Sequence, residues 1–258
     1  MKLGKGLGLG AALRLCGRGL LLLGLALLCL QLYFVLRIGL MRWVDPSSTA
    51  FQRAQLVQRL EQGEFQWNQE GVDGSAISDE LRRAVISSED ADFVNHPGVE
   101  WDAIKQAQAR NAKAEARVEA KLKRNPSAKV KPAKVVGGST ISQQLAKNLF
   151  LSGERHLLRK GQELVLTYLL EWILGKDRIL DIYLNSVEWG GGIFGAQAAA
   201  QYYFHTDAAQ VSAAQSARLA VMLPAPRKFE QTPNSSYLRQ RTNAILRRMG
   251  AAELPDDE

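Results

Sequence analysis

Two neighbouring carboxylates, Glu89 and Asp90, are the first residues of this sequence whose types and position suggest chemistry. The pattern of residues 79–89 predicts a helix that ends at these acids, where the helix dipole favours cations over anions. A carboxylate in that position, shielded by the nearby Phe93, would have a raised pKa and could act as a base near neutral pH. A frayed helix end followed by a turn at Pro97 explains the same residues without catalysis.

A second polar group lies in the stretch 137–163, which begins with two glycines. Ser139 and Thr140 are good helix N-caps, and a helix start favours anions such as phosphate. Four cations follow within the stretch, Lys147, Arg155, Arg159 and Lys160, and Glu163 lies close to the last two. A solvated basic face is the more common explanation of such a pattern. A pocket for a phosphorylated substrate is the alternative that involves chemistry.

Several other chemistries have no support in the sequence. The three histidines are scattered, and no His or Cys spacing matches a metal site. The sequence patterns of a serine-hydrolase elbow and of a phosphate-binding P-loop are absent. Cys16 and Cys29 lie in or beside an apolar N-terminal run, so the rest of the chain has no disulfide framework.

The elements that must position these groups begin with that apolar run, residues 19–36, which contains one polar side chain, Gln31. Its length is close to that needed to cross a bilayer, and only basic charges precede it. We therefore expect a retained membrane anchor rather than a cleaved signal peptide, with the rest of the chain outside the cytoplasm. The expected segments are a basic cytoplasmic tail (1–18), a transmembrane helix (19–41) and a juxtamembrane connector (42–75) with a helix at about 50–61.

The remainder of the chain is predicted to be mainly helical, because convincing alternating strands are absent. The whole chain has 258 residues, which suffices for one good-sized core plus a tail. The run after Glu163 is apolar nearly all round, interrupted by a turn at 175–177, and is predicted to be the buried centre of the domain. Residues 105–135, rich in Ala and Lys, are predicted to be a solvated helix followed by a mobile basic loop. The net charge of +7 is compatible with nucleic acid, anionic lipid or a phosphorylated ligand.

Four motifs resemble, in order and spacing, the signatures of the family 51 glycosyltransferases, the peptidoglycan glycosyltransferases of bacterial cell-wall synthesis. They are EDADFVNHPG (89–98), GGSTISQQLAKN (137–148), RKGQE (159–163) and ILDIYLN (179–185). The resemblance implies a lysozyme-like helical glycosyltransferase domain at 76–250, with 105–135 as an insert longer than usual. Class A penicillin-binding proteins add a transpeptidase domain, and no SxxK motif for one follows here, so we expect a monofunctional member. Ser142 stands where the family usually has threonine.

The resemblance also implies a reaction and its residues. The substrate would be lipid II, a disaccharide-peptide on undecaprenyl pyrophosphate. Glu89 would take the proton from the 4-hydroxyl of its GlcNAc, which attacks C1 of the lipid-linked growing chain with inversion and releases undecaprenyl pyrophosphate. Glu163 would be the second catalytic glutamate, and inverting hydrolases suggest a separation of about 6.5–9.5 Å between the two carboxylates. The implied substrate-binding residues are Asp90, Phe93, His96, Ser139, Thr140, Gln143, Gln144, Lys147, Asn148, Arg155, Arg159 and Lys160.

The resemblance implies no required cofactor and no protein metal site, although a divalent cation could pair with the pyrophosphate. The implied partners are lipid II, the lipid-linked glycan chain and the membrane. Other cell-wall synthesis or division proteins remain open as partners, and nucleic acid is not expected. The expected location is the bacterial cytoplasmic (inner) membrane, with the catalytic domain on its periplasmic or outer face.

Two alternatives belong to other functional classes. A lytic transglycosylase or lysozyme-like hydrolase would share a helical fold and a catalytic glutamate, but it would not need four cations. A membrane-tethered scaffold without activity would be expected to have lost Glu89 or Glu163, and both are present.

Overall fold

The structure, a computed structural model, describes residues 9–125, 132, 137–151 and 157–256. The chain divides into two compact units, Met1–Val44 and Asp45–Glu258.

The first unit is one long helix, α1 (Leu9–Leu40). Within it, the span Leu13–Leu40 contains a stretch of 18 residues with a mean hydropathy of 2.4, so the helix is long and apolar enough to cross a membrane. It begins ahead of the expected span, because Arg14 and Arg18 continue the helix rather than forming a separate tail. Leucine side chains along α1 are exposed, as they are on a helix that meets lipid.

The second unit is built mainly from helices, which confirms the predicted fold class. In chain order they are α2 (Ala50–Glu61), α3 (Asp79–Glu89), α4 (Trp101–Arg124), α5 (Ile141–Phe150), α6 (Leu157–Ser186), α7 (Ala196–Phe204), α8 (Ala213–Met222), α9 (Pro226–Gln231) and α10 (Ser236–Arg248). Short 3-10 turns lie at Gly74–Ala76, Ala208–Gln210 and Met249–Ala251.

A small sheet of three strands also lies in the second unit. β1 (Asn68–Gln69) runs parallel to β3 (Ile193–Phe194), and β3 runs antiparallel to β2 (Glu188–Gly190), in the order β1-β3-β2. Strands of two or three residues are too short to show an alternating pattern, so the sequence analysis did not predict them. The sheet fastens the segment before α3 to the segment after α6.

The segment expected to be a connector, residues 42–75, belongs to the second unit from Asp45 onward. α2 begins at a capping box formed by Thr49 and Gln52. The Gln52 amide also donates to the carbonyl of Ser186 at 3.3 Å, and buried Arg59 donates to a main-chain carbonyl at 3.2 Å. These polar side chains are buried with internal partners, which a hydropathy pattern does not reveal.

Two groups of packed helices form the core that supports the polar groups. α3 packs against α8 and α10, and α5 packs against α6. The predicted apolar stripe of α5 is confirmed, because Ile141, Leu145 and Leu149 are all buried. On α3, Leu81 and Val85 face the core in the same way.

The first half of α6 differs from its prediction as the buried centre. A kink at Gly175, with φ 75° and ψ 170°, divides the helix where a turn was predicted. Before it, Leu166 is fully buried, but Val165 and Tyr168 are exposed and Trp172 is 81% exposed. An all-round apolar composition does not show which face the core covers, and here the core covers one face only.

The region 105–135 begins as the solvated helix that its composition predicts. In α4 only Ala107 is buried. The predicted basic loop beyond it falls largely at residues 126–131 and 133–136, outside the described residues.

Candidate active site

Glu89 is the last residue of α3 and lines a cavity in the second unit. Its carboxylate accepts hydrogen bonds from the Ser88 hydroxyl at 3.3 Å and from the Gln144 amide at 3.2 Å. Burial raises the pKa of Glu89, and the neighbouring charge of Asp90 adds to the effect, while the two hydrogen bonds oppose it. A carboxyl group with a raised pKa suits general-base chemistry near neutral pH.

Asp90 has a different environment from its neighbour. Its Oδ2 accepts the backbone N–H of Ile141, the first residue of α5, at 2.9 Å, and its Oδ1 lies 2.9 Å from His96 Nε2. A helix N-terminus stabilises an anion, so the expected conflict with the dipole of α3 does not arise for Asp90. Asp90 instead ties the loop after α3 to the start of α5.

His96 and Gly98 complete this connection. The Gly98 N–H donates to His96 Nδ1 at 3.1 Å, so the ring proton is on Nε2, which donates to Asp90. The Thr140 hydroxyl donates to the Gly98 carbonyl at 2.6 Å. Gly98 has φ +90°, and a Cβ there would lie 2.7 Å from Glu171 Cγ, so this position requires glycine.

Three N–H groups at the start of α5, where the sequence suggested a place for a phosphate, already have partners within the protein. Asp90 accepts the N–H of Ile141, and a capping box pairs the N–H groups of Thr140 and Gln143 with each other's side chains. Phe93 is fully buried, with the Lys176 ammonium 4.5 Å from its ring centroid. Asp90, Phe93 and His96 thus hold the loop in place by internal contacts.

A basic cavity of about 350 Å³ lies beside α5. Glu163 in its wall is only 3% exposed and pairs with Arg159 at 3.3 Å and with Lys160 at 2.5 Å. With Lys147, the cavity holds three cations and one carboxylate, a surplus of positive charge that suits a doubly charged anion. The lining residues are Phe51, Ala54, Gln55, Ser139, Gln143, Gln144, Lys147, Asn148, Leu151, Arg159, Lys160 and Glu163. Arg155, the fourth predicted cation, lies outside the described residues.

A smaller cavity of about 150 Å³ contains Glu89 and adjoins the basic cavity. Ser139 lines both, and Gln144 of the basic cavity donates to Glu89 of the smaller one. The smaller cavity is lined by Glu89, Asp90, Glu100, Ala103, Gln106, Ala107, Arg110, Gly137, Gly138, Ser139 and Thr140. The two predicted glutamates therefore line neighbouring cavities.

Tyr183 of α6 is a member of this site that the sequence analysis did not assign. Its hydroxyl donates to Gln144 Oε1 at 3.0 Å, which turns the NH₂ group of that amide towards Glu89. Burial raises the pKa of Tyr183 well above its usual value, so the phenol stays protonated. Its place within the ILDIYLN motif was the only available signal. Phe51, Gln55 and Arg110 were missed because their helices were expected to lie outside the domain core.

Two other sequence observations have a clear structural outcome. Ser142 is fully buried and its hydroxyl donates to Glu171 at 2.5 Å, away from both cavities. Among the described residues, no group of three His, Cys, Asp or Glu side chains is arranged to hold a metal ion.

Comparison with known proteins identifies close relatives. The profile of the family described as Transglycosylase matches residues 54–250. A biosynthetic peptidoglycan transglycosylase of Herminiimonas arsenicoxydans is 51% identical over 235 residues, covering 90% of this chain and 93% of the relative. A protein of that name from Paraburkholderia xenovorans is 49% identical, covering 90% of each chain. One from Bordetella pertussis is 46% identical, covering 90% of this chain and 92% of the relative.

Proposed function

This chain belongs to the transglycosylase family, and we propose that its two adjoining cavities hold the two lipid-linked substrates of glycan polymerisation. The chain is a peptidoglycan glycosyltransferase that extends glycan strands. The observation that carries the proposal is the contact between the cavities: a carboxyl group with a raised pKa adjoins a cavity with three cations. Such a pair can deprotonate one substrate while it stabilises the anion that leaves the other.

The acceptor is lipid II, with the GlcNAc 4-hydroxyl at Glu89. Glu89 takes the hydroxyl proton as the oxygen attacks C1 of the MurNAc at the lipid-linked end of the growing chain. The bond from C1 to the pyrophosphate oxygen breaks, the configuration at C1 inverts, and undecaprenyl pyrophosphate leaves. Gln144, oriented by Tyr183, holds the Glu89 carboxylate in place through the transfer.

The donor's pyrophosphate occupies the basic cavity. Lys147, Arg159 and Lys160 neutralise the negative charge that grows on the leaving oxygen. By the family resemblance, Arg155 would share this role. Glu163 contacts Arg159 and Lys160 and fixes the direction of their N–H groups. Its role is thus to position cations rather than to transfer a proton. No cofactor enters this scheme, and a divalent cation would arrive paired with the pyrophosphate.

The lipid on both substrates requires a site at a membrane. α1 is the anchor, in a bacterial cytoplasmic membrane, with the second unit on the outer face. The exposed face formed by Val165, Tyr168 and Trp172 of α6 suits contact with lipid, because aromatic side chains favour the membrane interface. Other proteins of cell-wall synthesis or division would meet the enzyme at this membrane.

Product analysis tests the function. The full chain is incubated in detergent with labelled lipid II, and separately with preformed glycan strands. A polymer that lysozyme digests, with no shortening of the preformed strands, is the expected result. Shortened strands would instead favour a lytic enzyme. A folded protein that changes neither substrate would favour a scaffold.

A further inference from the structure

One side of α4 carries a row of five cations, called the basic row below. Its members are spaced by three or four residues, so they fall on the same side of the helix. From residue 110 to residue 124 the row extends about 21 Å. All five side chains are exposed: Arg110, Lys113, Arg117, Lys121 and Arg124.

The acidic side chains of this segment lie on the opposite side of α4. Glu115 and Glu119 are four residues apart and point away from the row, and Glu119 pairs with Lys123 at 2.8 Å. Within the part of the chain that the structure describes, no ion pair engages a member of the basic row. The positive charge of the row is therefore available to a ligand.

The basic row starts in the site. Arg110 lines the smaller cavity together with Glu89. α4 is held there by close packing on Gly138, where a Cβ would lie 3.1 Å from the Ala103 carbonyl and 3.1 Å from Ala107 Cβ. The row thus leads from the proposed acceptor cavity outwards along one straight helix.

We propose that the basic row binds the acidic stem peptide of the acceptor, an inference that rests on the proposed function. The acceptor is a disaccharide-peptide, and the peptide leaves the sugar next to the one that Glu89 would activate. A peptide of four or five extended residues reaches about 13–18 Å, which is comparable with the length of the row. Its carboxylates match the exposed cations in charge.

A membrane surface is the competing ligand for such a row, since anionic headgroups also attract clustered cations. Continuity with the cavity favours the substrate. A surface for lipid headgroups has no need to begin beside Glu89, whereas a peptide attached to the acceptor must begin there.

The test compares two substrates and two variants of the full chain in neutral detergent. One lipid II carries free carboxylates on its stem peptide, and the other carries the same peptide with those carboxylates amidated. The test variant is Arg117→Gln/Lys121→Gln/Arg124→Gln, which leaves Arg110 in the cavity unchanged. The control variant, Lys105→Gln/Lys123→Gln, removes two cations of α4 that lie outside the row and pair with Asp102 and Glu119.

The test variant is expected to raise KM for the carboxylate substrate by about tenfold, because each exposed ion pair contributes modestly. The value of kcat stays near wild type, the effect shrinks in high salt, and the amidated substrate shows no difference. The control variant behaves like wild type. An equal KM change for both substrates, or none, would overturn the proposal.

Binding measurements separate this proposal from the proposed function. A fluorescent lipid II, charged or amidated, is titrated with wild type and the test variant. If wild type makes no polymer yet binds the charged form more tightly, and the variant loses that preference, the row proposal stands while the function fails. Co-sedimentation with vesicles of neutral or anionic phospholipid tests the competing ligand, the membrane surface. A variant that loses only its binding to anionic vesicles overturns the peptide assignment.

Discussion

Replacement of Gln144 by Met is the sharpest probe of how Glu89 is tuned. Methionine keeps the length and helix propensity of glutamine but removes the amide that donates to Glu89 Oε2 at 3.2 Å. This hydrogen bond stabilises the ionised carboxylate, so it opposes the effect of burial on the pKa of Glu89. Without it the pKa of Glu89 rises further, and the base is protonated over a wider range of pH.

The size of the effect follows from the charge on the hydrogen-bond acceptor, the Glu89 carboxylate. A hydrogen bond to a charged group contributes about 1.5–3 kcal/mol, and about 1.36 kcal/mol corresponds to one pH unit. The protonated carboxyl keeps part of this interaction, so the lower end of that energy range applies to the shift. The acid limb of the profile of kcat/KM against pH should move upwards by about one pH unit.

The assay is polymerisation of lipid II from about pH 5 to about pH 9, where the acid limb reports the free enzyme's base. Gln201→Met is the matched control, because its amide also donates to a carboxylate, that of Asp207 at 2.8 Å, away from both cavities. Its profile should match wild type. An acid limb that stays in place in Gln144→Met, or moves to lower pH, would refute the link between this amide and the base.

Three further predictions follow from particular contacts. Tyr183→Phe removes the hydroxyl that orients Gln144, so it should shift the acid limb in the same direction as Gln144→Met but by less. A larger shift than that of Gln144→Met would contradict the idea that Tyr183 acts through Gln144. Glu89→Gln should be more stable to denaturant than wild type at pH 7, because folding raises the pKa of the Glu89 carboxyl and disfavours its ionised form. That difference in stability should vanish as the pH falls below the usual range of carboxyl pKa values. A variant less stable than wild type at pH 7 would contradict this prediction. Trp172→Ser should change the free energy of unfolding by no more than about 0.5 kcal/mol, since the ring is 81% exposed. The same change should slow polymerisation severalfold in vesicles, and an unchanged rate there would argue against lipid contact.

The sequence predicted the helices around the site well where local signals were strong. The bounds of α3 at Asp79–Glu89 were predicted as observed, and the start of α5 after Thr140 followed from its capping residues. Gly175 was recognised as an interruption because glycine admits the positive φ that it adopts. These features depend on residues close together in the chain.

The features of the site that the sequence did not predict depend on contacts between distant segments of the chain. Asp90 is 51 positions from Ile141, so nothing in its local pattern shows that it accepts the N–H at the start of α5. The bond from Tyr183 to Gln144 spans 39 positions, and the motif that contains Tyr183 gave no role for its hydroxyl. Likewise, the exposed side of α6 depends on which neighbours the core supplies, and composition alone does not contain that information.

Polymerisation by Glu89→Gln tests the central claim most directly. Glutamine keeps the shape of the side chain and its contact with Gln144 but has no basic oxygen to take a proton. The enzyme should remain folded and bind labelled lipid II as wild type does, while its rate of polymer formation falls by about 10²–10⁴-fold. A folded variant that polymerises at a rate near wild type would contradict the assignment of Glu89 as the base.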